Sequence, residues 1–200
     1  MTHARVAPAE FRALDLRVHD LLSDVPLHDV WRCRLETRSR DLLLPEVLDT
    51  FVHVARTGVG PVPRVLFALR SLLGRLFGWD RDPPDGAARS YLNRLSPDDR
   101  ARSLEPPGSK RYFWTTLYTF EREGLGEVIN RTVHSFLLFA LEPSPAGHTL
   151  YWATYVKPVS WFTPIYMALI DPFRRLLIYP ALIRRIETAE RRSDEKTERR

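Results

Sequence analysis

The chain has 200 residues, 44% of them hydrophobic and 28% charged, enough to bury about 70% of the surface an extended chain exposes around a single core. Its one cysteine, Cys33, excludes an intrachain disulfide, a cysteine-based zinc cluster and a C-x-x-C redox pair. Only Lys110, Lys157 and Lys196 among the 30 basic residues are lysine; the net charge of +5 thus reads as an arginine-rich, proline-rich composition. A nucleic-acid footprint would need basic residues clustered on one face with interleaved aromatics.

Residues 1–10 carry no apolar h-region of a signal peptide. The longest runs free of Asp, Glu, Lys and Arg, 143–156 and 158–170, are 14 and 13 residues long, short of the roughly 18–20 that span a bilayer. A cytoplasmic protein without a transmembrane segment is expected.

Along the chain, residues 25–36 read as an extended segment opened by Pro26, with Val30 and Trp31 suited to a pleated surface and Cys33 as a strand thiol. Asp41 opens a helical region. Pro45 suits its first turn, and Val47, Leu48, Phe51, Val52 and Ala55 recur at helical spacing until Gly58 and Gly60. A second helix is expected over 63–77. Residues 80–110, broken by Pro83, Pro84, Pro97, Pro106 and Pro107, read as a long surface excursion, a mobile flap or an insertion, with a short helical turn near Tyr91 and Leu95.

Strands dominate the second half of the chain. Residues 111–122 are dense in β-favouring types, and Glu123-Gly124-Leu125-Gly126 reads as a turn. Residues 127–129, a kink at Asn130-Arg131, and strands over 132–141 and 149–156 complete a three-strand antiparallel meander. The last element is a helical segment over 163–192 interrupted by Pro164, Pro172 and Pro180. Phe173, Leu176, Leu177, Ile183 and Ile186 would face the sheet. The end of the chain, 184–200, holds seven basic and five acidic side chains and reads as a salt-bridged helix end, with 193–200 as a frayed tail.

Strand, two helices, meander and long terminal helix reproduce the element order of the helix-grip (START-like, SRPBCC) fold. Two segments carry a closer resemblance: the leucine-rich run 67–79 ending Phe77-Gly78-Trp79, and 166–180, which contains Tyr166-Met167, Ile170-Asp171-Pro172-Phe173-Arg174-Arg175 and Pro180. They resemble the bacterial domain-of-unknown-function family 2867 over roughly residues 11–190. The resemblance implies an α+β domain over 1–192, with an antiparallel sheet wrapped around the C-terminal helix and a cavity between them. Relatives that extend short-chain reductase-like domains suggest a reductase-like partner; it implies little about activity and no cofactor.

Face arithmetic nominates a site. Even positions of 111–122 are the more aromatic, and the same criterion turns Trp114, Tyr118, His134, Phe136 and Trp152 inward, provided the middle strand is regular. Such a face describes a small-molecule pocket or an ordinary filled core, and the fold resemblance favours the pocket. His134 is the weak catalytic candidate. Gly124-Leu125-Gly126 lacks the third glycine and the following helix of a dinucleotide fingerprint. The six histidines show no metal-site spacing, so no metal is expected. Glu46, Asp49, Glu121, Glu123 and Glu127 read as solvated charge. The expected function is binding of a small apolar or amphipathic molecule. The alternatives are a cyclase-, hydrolase- or dehydratase-like enzyme in the same cavity, or a peripheral membrane or partner-binding module using the basic terminal helix.

Overall fold

A computed structural model describes residues 3–35, 41–57, 86–131, 133–145, 147–159, 161 and 163–173. The expected helix at 63–77, the terminal stripe from Leu176 onward and the tail lie outside the described residues. The described chain is α+β. Its strands are β1 (His3–Arg5), β2 (Leu27–Leu35), β3 (Lys110–Arg111), β4 (Trp114–Thr119), β5 (Glu123–Ile129), β6 (His134–Ser144) and β7 (Gly147–Lys157). They form one sheet in the order β1-β2-β7-β6-β5-β4-β3, every neighbouring pair antiparallel. The helices are α1 (Pro8–Arg12), α2 (Val18–Leu21), α3 (Leu44–Thr57), α4 (Gly86–Arg89), α5 (Pro97–Arg102) and α6 (Thr163–Phe173), with a 3-10 turn at Tyr91–Arg94.

Both faces of the sheet are packed. On the first face, Phe11, Val18, Leu22, Tyr91 and Leu95 meet Leu117, Tyr118, Leu125, Phe136, Leu138 and Ala153. On the second, Leu44, Val47, Leu48, Phe51 and Val54 of α3 meet Trp114, Leu137, Phe139, Leu141, Leu150 and Trp152. The helical spacing of the α3 residues is the reason this segment is a helix, and each fully buried large side chain contributes about 1.5–3 kcal/mol. The Leu44 amide donates to the Glu121 carbonyl at 2.7 Å, fixing the start of α3 to the β4–β5 turn.

Two expectations are corrected. Glu123-Gly124-Leu125-Gly126 is not a turn: it lies inside β5, and the turn falls one step earlier, where the Phe120 amide donates to the Glu123 carbonyl at 2.7 Å. The glycines serve close approach. A Cβ on Gly126 would sit 2.2 Å from the Trp114 indole, and one on Gly124 would sit 3.0 Å from Leu44. The meander consequently has four long strands, β4 to β7, rather than three. The described part of the excursion, from residue 86, holds the short helical turn expected near Tyr91 and Leu95. It carries α4, the 3-10 turn and α5, and it buries Tyr91, Leu95 and Asp99 against the first face.

Candidate functional site

The nominated residues divide between the two faces. Tyr118, His134 and Phe136 lie on the first face, Trp114 and Trp152 on the second. The cause in β4 is a register shift between Thr116 and Tyr118 that reverses the alternation within one strand. In β7 it is the register itself: Phe136 pairs with Tyr155 and Phe139 with Trp152, so even positions of β6 share a face with odd positions of β7. Trp114 and Trp152 therefore do not join His134. They surround Phe51, whose ring centroid lies 5.9 Å from Trp114, 5.2 Å from Trp152 and 5.0 Å from Phe139. Here the face is a filled core.

Around His134 the first face is polar and buried. The His134 Nε2–H donates to Glu127 Oε1 at 2.8 Å, and each side chain is only 2% exposed. The same carboxylate accepts the Tyr91 amide at 2.9 Å and the Ser90 hydroxyl at 2.6 Å. The Tyr91 hydroxyl donates to Asp24 at 3.0 Å and accepts from Lys157 Nζ at 2.9 Å, while Arg94 pairs with Asp24. Burial raises the Tyr91 phenol above its ordinary value, while the Arg94 guanidinium holds Asp24 well below the carboxylate range. A second carboxylate repeats the pattern. Glu123 accepts the amides of Arg17 and Val18 at 2.8 and 2.9 Å and the Tyr118 hydroxyl at 2.6 Å. Burial pushes both Glu123 and Tyr118 up.

Glu123 and Glu127 were expected at the surface; they are 7% and 2% exposed. Their partners, α2 for Glu123 and the segment at 90–91 for Glu127, are remote in sequence, and the carboxylates fasten those segments to the sheet. Satisfied networks of this kind specify one arrangement of the elements they join. His134 belongs to that arrangement, held by its Glu127 contact.

A concave site lies elsewhere. A cleft of about 280 Å³ opens beside the β1–β2 edge, lined by Arg5, Val6, Ala7, Pro8, Leu27, His28, Asp29 and Val30. Strand pairing places β1 there, with Arg5 opposite Trp31, and the Val6 amide extends the ladder by donating to the Val30 carbonyl at 2.9 Å. Pro8 then starts α1. At one side, His28 Nε2 lies 2.9 and 2.7 Å from the two carboxylate oxygens of Asp171 on α6. None of these lining residues was nominated from sequence. The signal that could have raised them is the His28-Asp29 pair inside a strand of apolar and basic residues.

No helix among the described residues is long and apolar enough to cross a membrane. The chain matches the family model described as Protein of unknown function (DUF2867) over residues 21–181. No curated protein matches it.

Proposed function

We propose, from the premise that the chain belongs to the DUF2867 family, that it binds a small amphipathic molecule in the cleft beside the β1–β2 edge. The observation that carries this reading is the lining. Ala7, Pro8 and Leu27 offer apolar contact over a floor of buried Val6 and Val30, while Arg5, His28 and Asp29 supply a few polar groups for orientation. Binding sites commonly combine these features at roughly 300–1,000 Å³, and a cleft of 280 Å³ suits a ligand at the small end. A negatively charged head would meet Arg5 and leave its apolar body on Ala7, Pro8 and Leu27.

The helix-grip arrangement is part of the proposal. It is supported by the contact of α6 with β2 through Asp171 and His28, and by Met167 of α6 at 7% exposure. In this reading the ligand lies at the edge where sheet and terminal helix meet. Tyr118, His134 and Phe136 support the sheet from one side and Trp114 and Trp152 from the other.

Titration of the full chain with decanoate, a single-chain amphipathic anion, followed by calorimetry, tests the reading. Saturable binding is expected, lost in Ala7→Trp, which fills the cleft from an exposed position, and weakened about ten-fold in Arg5→Glu. Absence of saturable binding, or binding that ignores both substitutions, overturns it.

A further inference from the structure

We propose that His28, Asp29 and Asp171 form a binding site for a divalent cation of the manganese, iron or zinc type. One nitrogen and two carboxylate oxygens, one from each residue, lie within 4.8 Å of one another. They come from two elements, the start of β2 and the C-terminal part of α6, with 143 positions separating His28 from Asp171.

The backbone is arranged to bring them together. In β2, Leu27 pairs with Tyr155 and Asp29 with the preceding Thr154, so His28 is an extra residue on its strand. In a regular strand His28 and Asp29 would point to opposite faces. The bulge instead lets two consecutive ligand-type side chains converge on Asp171, and bulges of this kind recur where a side chain has to be re-aimed. The cluster is also sheltered. Asp29 is 4% exposed, and the side chains of His28 and Asp171 are 23% and 15% exposed. His28 and Asp29 both line the cleft, which gives an ion and its remaining ligands a route in.

The chemistry of the set selects the ion. An imidazole with two carboxylates suits borderline and moderately hard first-row dications, not the thiolate-seeking copper(I) or the all-oxygen cages of calcium. Three protein ligands beside an open cleft leave coordination positions for water or an incoming oxygen, the organisation of reactive rather than purely structural metal sites. His28 Nε2 and Asp171 Oδ2 lie 2.7 Å apart. A cation at about 2.0–2.2 Å from each needs these atoms only slightly further apart, a change that side-chain rotation supplies.

This inference stands on ligand type, spacing and the bulge, and it does not require the amphipathic-ligand reading. It is tested without any organic ligand, using the full chain stripped with chelator and titrated with manganese(II) and zinc(II) chloride. Calorimetry should give one ion per chain. His28→Gln and Asp171→Asn should each weaken it about ten-fold or more, while His53→Gln, on the exposed side of α3, should leave it unchanged. Absence of stoichiometric uptake overturns the site, as does uptake indifferent to His28→Gln and Asp171→Asn. Should either variant fail to fold, the wild-type chain still decides. Manganese(II) must broaden backbone amide resonances of residues 27–31 and 167–171 first, and broadening centred elsewhere refutes the assignment.

Discussion

Buried carboxylates decide the chemistry of the first face at the residue scale, and Asp99 is the one whose titration gives the clearest reading. Its side chain is 5% exposed. It accepts from Arg17 Nη2 at 3.0 Å and from the Ser96 amide at 3.1 Å, while the Ser96 hydroxyl accepts the Asp99 amide in return. Burial alone would raise its pKa; the hydrogen bonds from Arg17 and Ser96 together outweigh burial and hold it below the ordinary value of 3.8. The native state therefore releases this proton more readily than the unfolded chain. Its contribution is fully present at neutral pH and is lost as pH falls through 3.8 toward the lower native value. Asp99→Asn should cost about 2 kcal/mol at pH 7. It should also flatten the acid limb of stability, measured as urea midpoints from about pH 5 down to about pH 2. An unchanged acid limb would show that Asp99 does not carry that loss.

At the scale of elements, Phe51 is the aromatic member of the buried stripe that holds α3 to the sheet. Phe51 is 2% exposed and makes edge contacts with Trp114, Phe139 and Trp152. Phe51→Ala removes all three at once and leaves a cavity that two indoles and a phenyl ring close only in part. A loss of about 3–5 kcal/mol is expected in chemical denaturation, with collapse of the near-ultraviolet dichroism of the tryptophans. A loss below about 1 kcal/mol would mean that α3 is anchored elsewhere. The same contacts explain why counting faces along the sequence led to a pocket. Trp114 and Tyr118 have the even spacing of one face, but the register shift between Thr116 and Tyr118 puts them on two. A bulge is a matter of pairing with β5, and no residue of β4 announces it.

For the molecule as a whole, a sheet covered on both sides makes the cover of each face a condition of folding. The family match begins at residue 21, yet residues 3–20, which hold β1, α1 and most of α2, precede it and bury Val6, Phe11, Leu16 and Val18 on the first face. Removing residues 1–20 exposes that face and also deletes the Arg17 and Val18 amides that satisfy buried Glu123. At about 1.5–3 kcal/mol for each large apolar side chain, the loss takes most of the roughly 5–15 kcal/mol that a domain has. The truncated chain should express insolubly or bind a hydrophobic dye with broad, non-cooperative melting. A soluble product with a cooperative transition would show that the N-terminal segment is dispensable.

Local patterns in the chain were enough for the α+β class and for the elements whose evidence lies among near neighbours. The periodicity of Val47, Leu48 and Phe51 gave α3, observed at Leu44–Thr57. Pro26, Val30 and Trp31 gave β2, observed at Leu27–Leu35, and the β-rich second half gave antiparallel strands. The terminal motif also pointed to the family. The placement of polar groups came from the packing of distant segments. Glu123 and Glu127 look like solvated charge until helix and turn amides arrive from distant segments, and His28 meets Asp171 across 143 positions. Helical spacing and strand composition are properties of neighbours along the chain. Burial of a carboxylate, the face of a bulged strand and the convergence of ligands depend on which distant segments pack together, and no local pattern encodes that.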